Sequence, residues 1–250
     1  MAVTIEVSEE AGVRYLHFGS RWIQGAMRVA RPWSLELDYT RDMMFPLLLR
    51  GGATWPRTAL LIGLGAASLA RFLYRHRPRT AQTVVEIEPT VILAAQQHFK
   101  LPPESARLRI EIADGVDYVA SSQREFDLIL VDGYDAKGRT GMLDTLPFYC
   151  NCLARLSDRG VLAANLLTRN HGIRGSLDRM LAAFEGRALP LPICASGNVV
   201  IVAAAGTPVA VSGIELVRHA RRLRSATGLN LLPTVARLRE RQAPDGVLRL

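Results

Sequence analysis

The chain is predicted to be an α/β protein on a doubly wound, mostly parallel seven-stranded sheet, with a small β appendage at its N-terminus. Three observations carry this. From Ala59 onward short apolar runs alternate with longer amphipathic ones, the pattern of strands joined by crossover helices. The runs are almost continuously apolar, as expected where both faces of a sheet are covered. The first 50 residues lack the alternation and are broken by Gly and Pro.

In that first segment Val13 to Phe18, Trp22 to Val29 and Leu35 to Leu37 read as short strands. The main sheet is predicted from strands at Ala59 to Ile62, Thr83 to Ile87, Leu108 to Ile112, Phe126 to Val131 and Val161 to Leu167. Helices are expected between them at Ser68 to His76, Thr90 to Phe99, Val116 to Ser121 and Thr145 to Leu156, the last closed by Gly160 as a left-handed cap. After a helix at Ile173 to Phe184, Leu189 to Cys194 and Asn198 to Ala204 flank the turn Ser196-Gly197 and read as an antiparallel hairpin. The tail from Ile214 is expected to be helical, then loose after Pro233. The organisation is therefore a small β domain over 1–50, a larger Rossmann-like α/β domain over 51–212, and a C-terminal helix and tail over 213–250.

With 250 residues, 49% hydrophobic and 22% charged, the chain has the composition of a globular protein. Apolar stretches such as Val199 to Ala205 are interrupted well short of a membrane span, and MAVTIEVSEE has no apolar secretory core, so a cytoplasmic protein is expected. Three cysteines and five scattered histidines offer no metal-ligand spacing, and no metal is expected. The net charge is +8, but the arginines are scattered and not interleaved with aromatics, which reads as a solvated surface and not a nucleic-acid or membrane interface.

The chemistry concentrates where strands end. The first main strand runs into Gly63-Leu64-Gly65-Ala66-Ala67-Ser68, a turn whose glycines let backbone N–H groups approach a ligand. Glu86, 21 residues after Gly65, ends the next strand, where a carboxylate can accept both hydroxyls of a ribose. Asp114, before Gly115, can accept from an adenine amino group or cap the helix that follows. The third glycine that suits a pyrophosphate is replaced by Ser68, which favours an adenosyl-sulfonium ligand over a dinucleotide. The fourth strand ends in Val131-Asp132-Gly133-Tyr134-Asp135, either a turn or a pair of carboxylates for a cationic amine.

Leu61-Ile62-Gly63-Leu64-Gly65, Val85-Glu86-Ile87-Glu88-Pro89, Ala113-Asp114-Gly115, Phe126-Asp127-Leu128-Ile129-Leu130-Val131-Asp132 and Pro147-Phe148-Tyr149 together resemble the spermidine synthase (polyamine aminopropyltransferase) family. The resemblance runs over roughly residues 10 to 205 and is strongest from 59 to 165. It implies a Rossmann-like methyltransferase fold, a homodimer, and aminopropyl transfer from decarboxylated S-adenosylmethionine to a small amine such as putrescine. It further implies that Gly63, Gly65, Glu86 and Asp114 hold the nucleoside, with Gln24 contributing from the N-terminal part. Asp132 is the implied acceptor of the amine's proton, and Asp135 and Tyr39 the implied diamine contacts.

Two departures bear on specificity. The family ordinarily has an acid after its glycines, where this chain has Ala66, and proline after the second acid, where this chain has Lys137 and Arg139. A basic pair so placed is expected to repel a dication. These departures keep two alternatives in view: a methyltransferase of the same fold using intact S-adenosylmethionine, and a non-catalytic nucleoside-binding homologue.

Overall fold

In the computed structural model, which describes residues 4–19, 22–135, 138–168, 172–239 and 246–250, the chain begins with a three-stranded antiparallel sheet. Its strands are β1 (Ile5–Glu10), β2 (Val13–Phe18) and β3 (Ile23–Arg28), in spatial order β1-β2-β3. The β2–β3 register skips one residue: His17 faces Ile23 and Leu16 faces Gly25, leaving Gln24 as the bulged position. Bulges of this kind re-aim a side chain. β1 is an addition to the sequence prediction.

Leu35 to Leu37, expected as a strand, is not one, because no strand lies beside it. Leu37 is instead the extended N-cap of a short helix, α1 (Asp38–Asp42), followed by α2 (Pro46–Leu49). Met43, Met44, Phe45 and Leu48 are fully buried against the main sheet, so this segment joins the central core.

The main sheet comprises β4 (Thr58–Ile62), β5 (Ala81–Glu86), β6 (Leu108–Ile112), β7 (Phe126–Val131), β8 (Leu156–Leu167), β9 (Ala188–Pro190) and β10 (Asn198–Ala204). They lie in the order β6-β5-β4-β7-β8-β10-β9, with β10 antiparallel to both its neighbours. The connecting helices are α3 (Ser68–His76), α4 (Pro89–His98), α5 (Gly115–Ser121), α6 (Leu146–Ala154) and α7 (Arg174–Ala183). Alternate strand residues feed two cores. Leu61, Val84, Leu130 and Val202 belong to one, and Leu60, Val85, Ile129 and Ile201 to the other. That is the period-two consequence of a strand covered on both faces. The chain runs β4, β5, β6 in one direction and β7, β8 in the other, so order reverses between β4 and β7. A crevice opens at the strand C-termini there, the usual place for a ligand in such sheets.

Gly160 does not cap α6. The helix ends at Ala154, and Gly160 lies inside β8, where Phe126 pairs with Leu156 but Leu128 pairs with Val161. The irregular stretch between is held from outside by Thr207, whose backbone N–H donates to the Asp158 carbonyl at 2.7 Å.

The tail is also more ordered than expected. After β11 (Ala210–Ser212), α8 (Gly213–Thr227) begins with a capping box in which Ser212 and Glu215 bond each other's backbone N–H, and it ends at left-handed Gly228. Pro233 does not end the helical region. It sits in the first turn of α9 (Leu232–Arg239), where a missing N–H costs nothing. β12 (Val247–Arg249) then pairs antiparallel with β11. Buried Asp42 accepts from Thr234 Oγ1 at 2.6 Å and from Cys194 Sγ at 3.2 Å, joining α1, the segment after β9 and α9.

Candidate active site

Five parallel strands deliver their C-terminal residues to one crevice. β4 leads to Gly63 and β5 to Glu86. β6 leads to Asp114, β7 to Asp132, and Asn165 stands near the end of β8. Antiparallel β10 presents its N-terminal residue, Asn198, at the same edge. Together with Gln24 from β3 and Tyr39 from α1 they line a cavity of about 940 Å³, within the range of small-molecule sites. Every site residue expected from the sequence, Gln24, Tyr39, Gly63, Gly65, Glu86, Asp114, Asp132 and Asp135, lies on its wall.

The glycine turn is tied to its surroundings by close approach. Gly63 has φ +92°, and a β-carbon there would lie 2.3 Å from the Asp132 carbonyl oxygen. Glu86 braces the same turn: Oε2 accepts from the Leu64 N–H at 2.9 Å and Oε1 from the Glu88 N–H at 3.0 Å. Burial pushes the Glu86 carboxyl up, and these backbone donors pull it back. Asp114 does cap α5, with Oδ1 accepting from Val116 N–H at 2.7 Å, while also facing the cavity. Large apolar side chains stay exposed at the mouth, among them Ile87 and Met142, and offer a surface for a flat base.

Asp132 sits in a network that the sequence did not suggest. Its Oδ1 accepts from Asn165 Nδ2 at 2.8 Å, and the Tyr39 hydroxyl donates to the same carboxylate. Asn165 Oδ1 accepts from Asn198 Nδ2 at 2.9 Å, and Asn198 Oδ1 from Ser196 Oγ at 2.7 Å. The Tyr134 hydroxyl donates to the Asn165 carbonyl at 2.6 Å. Desolvation raises the Asp132 pKa to about 6, against the pull of its two side-chain donors. The Tyr39 hydroxyl is held well above its ordinary pKa by burial and by that carboxylate, so it stays a donor. Asn165 had one visible signal: a lone amide in the apolar run VLAANLL.

The two sequence departures look different in place. Ala66 does not line the cavity. Its side chain is 3% exposed and packs with Leu16, Met27, Ala94 and Phe99 where the N-terminal sheet meets α4. Arg139 does line it, but as the ion partner of Asp135 at 2.7 Å. The expected repulsion by Arg139 is thus met by a carboxylate already in contact with it; Lys137 lies outside the described residues. Among the described lining residues seven are acidic and Arg139 alone is basic. A chain of net charge +8 therefore places seven of its 23 acidic residues on the wall of this cavity.

The sequence profile described as Spermine/spermidine synthase domain matches residues 39–174. A polyamine aminopropyltransferase of Neisseria meningitidis is 35% identical over 242 residues, 97% of this chain and 91% of that protein. The chain belongs to the spermine/spermidine synthase family. A polyamine aminopropyltransferase of Chromobacterium violaceum is 36% identical over 94% of this chain and 89% of its own length. A probable spermidine synthase from Corynebacterium glutamicum, 19% identical, superposes with TM-score 0.72 over 89% of this chain and 84% of its own, and so shares the fold. Residues that carried the resemblance in the sequence, Gly63, Gly65, Glu86, Asp114 and Asp132, lie on the cavity wall.

Among the described residues no cluster of His, Cys, Asp or Glu is arranged to hold a metal ion. No helix of these residues is long and apolar enough to cross a membrane. Cys152 is buried on α6 and burial pushes its thiol well up, so it is no candidate nucleophile.

Proposed function

We propose that this chain transfers an aminopropyl group from decarboxylated S-adenosylmethionine to a small amine, with Asp132 as the proton acceptor. The observation that carries the reading is the Asp132 carboxylate itself. It is raised to about 6, held by Asn165 and Tyr39, and faces the same acid-lined cavity as Glu86 and Asp114. Membership in the family supports it, as do near full-length relatives bearing the aminopropyltransferase name.

In this reading Glu86 accepts from the ribose hydroxyls while still bracing the glycine turn, and Asp114 receives the adenine amino group. Gln24, re-aimed by the β3 bulge, reaches the donor from the N-terminal side. The acceptor arrives as an ammonium without a lone pair. Asp132 takes its proton; the freed nitrogen pair attacks the carbon beside the sulfonium, the C–S bond breaks, and its electrons neutralise sulfur as methylthioadenosine leaves. A base near pKa 6 is ionised at neutral pH yet still basic enough to serve. The nearby sulfonium charge makes the ammonium easier to deprotonate. Tyr39 and Asp135 contact the acceptor. A homodimer, as the family resemblance implies, working in the cytoplasm completes the reading, and light scattering of the purified chain tests the dimer.

The deciding experiment is calorimetric titration with both forms of the donor, alongside detection of methylthioadenosine in the presence of putrescine. Tighter binding of the decarboxylated form, with methylthioadenosine released, is expected. Preference for the carboxylated form points to methyl transfer, and nucleoside binding with no product released points to a non-catalytic homologue.

A further inference from the structure

Asp135 is tied to Gly138 and Arg139 through the backbone. Asp135 N–H donates to the Arg139 carbonyl at 3.0 Å, and Gly138 N–H to the Asp135 carbonyl at 2.9 Å. Gly138 rests against the indole of Trp22, which anchors the turn to the N-terminal segment. Within it both oxygens of Asp135 are engaged by one residue. Oδ1 accepts from the Arg139 backbone N–H at 2.9 Å, and Oδ2 from the guanidinium, Nε at 2.8 Å and the terminal nitrogen at 2.7 Å. Other acids on the wall are also ion-paired, Glu36 with Arg28 and Asp38 with Arg41, but only Arg139 brings its guanidinium to the described cavity lining.

We propose that Arg139 is a specificity-determining residue of the acceptor subsite, occupying the Asp135 carboxylate so that a diamine's second ammonium gains little there over a monoamine. The inference rests on the aminopropyl-transfer reading for the identity of the acceptor. An arriving ammonium must share or displace the guanidinium, and the two cations repel at close range. Both partners are substantially solvent-exposed, so the effect is modest in size. The backbone N–H on Oδ1 survives the substitution of Arg139 by alanine or glutamine, so that bond remains when the guanidinium is removed.

The test is amine affinity, measured by calorimetry on protein saturated with methylthioadenosine. Putrescine and butylamine are compared in the wild-type protein, Arg139→Ala and Arg139→Gln. Both substitutions are expected to raise the putrescine-to-butylamine affinity ratio by roughly two- to fivefold, the gain lying in putrescine. Unchanged methylthioadenosine affinity and thermal melting show that the pocket is intact. An unchanged or lower ratio overturns the proposal, as does the absence of measurable putrescine binding in all three proteins. Failure of the wild-type protein to release methylthioadenosine from the decarboxylated donor overturns aminopropyl transfer instead, and the affinity ratio still reads the role of Arg139.

Discussion

Gly63 and Asp132 meet backbone to backbone. The Asp132 N–H donates to the Ile62 carbonyl at 2.9 Å, and its own carbonyl lies where a side chain at 63 would begin, 2.3 Å from an added β-carbon. The donor's glycine turn and the segment carrying the proposed base are therefore one packed unit across the β4–β7 switch point. Gly63→Ala faces both a backbone carbonyl that cannot step aside and a φ of +92°. We predict a stability loss of about 2 kcal/mol or more together with lost nucleoside binding, read by thermal melting and titration. Gly65→Ala, which meets only the Gln24 carbonyl at 3.3 Å, should be milder.

Asp132 supplies the pH dependence. Its pKa is about 6 in the fold and 3.8 as an ordinary carboxyl, so the base form is lost as pH falls through 6. The kcat/KM profile should drop about tenfold per unit below that point. Asp132→Asn should abolish turnover while leaving methylthioadenosine affinity nearly intact.

The same shift sets a stability sign. Between pH 3.8 and about 6 the folded chain binds more protons at Asp132 than the unfolded chain does. The stability owed to the neutral carboxyl is full below that window and is lost as pH rises through it. Asp132→Asn should therefore melt higher than the wild type at pH 7.5 and nearly with it at pH 3.5. Equal melting at both would mean that the carboxyl is not raised.

Asn165 is predicted to act through Asp132. Asn165→Ala removes the donor at 2.8 Å that favours the ionised form, so the acid limb of the kcat/KM profile should move to higher pH. Asn198→Ala, which frees the Asn165 amide oxygen and the Ser196 hydroxyl without touching Asp132, should give a smaller shift in the same direction. A uniform loss of rate with an unmoved limb would assign both amides a structural role.

At Glu86 the carboxylate uses one oxygen for Leu64 and the other for Glu88. Glu86→Gln keeps only one acceptor oxygen and loses the charge. Nucleoside affinity should fall by about 1.5–3 kcal/mol, roughly ten- to hundredfold.

Restoring the family's acid is predicted to fail. Ala66→Asp would crowd a carboxylate into the seam among Leu16, Met27 and Phe99, beside the buried Arg71 guanidinium that already bonds the Ala66 and Phe99 carbonyls. A stability loss of about 1–3 kcal/mol from overpacking is expected, with no gain in preference for an amine-bearing donor, because the position faces the seam and not the cavity.

Much of this molecule was legible locally. Apolar runs with sharp ends marked β6, β7 and α3 to the residue, because a doubly covered strand or an amphipathic helix writes its period into the chain. Strand-end acids and the glycine turn marked the cavity wall, since parallel strands send every C-terminus to one edge. Where signals depend on partners, reading failed. Leu35 to Leu37 looked like a strand but found no neighbour, and Gly160 looked like a cap but sits in an irregular part of β8. Pro233 looked like a stop but starts α9.

The sequence alone determined the alternation that builds the sheet and the carboxylates that line its crevice. Only the tertiary structure decided what each carboxylate touches. It set Asn165 and Tyr39 on Asp132, Arg139 on Asp135, and turned Ala66 away from the cavity into the seam with the N-terminal sheet. The physical reason is one of range. Periodicity and strand-end chemistry follow from neighbours along the chain, whereas the desolvation and hydrogen bonds that tune Asp132 come from residues such as Tyr39 and Asn165, far from it in sequence and brought close only by folding.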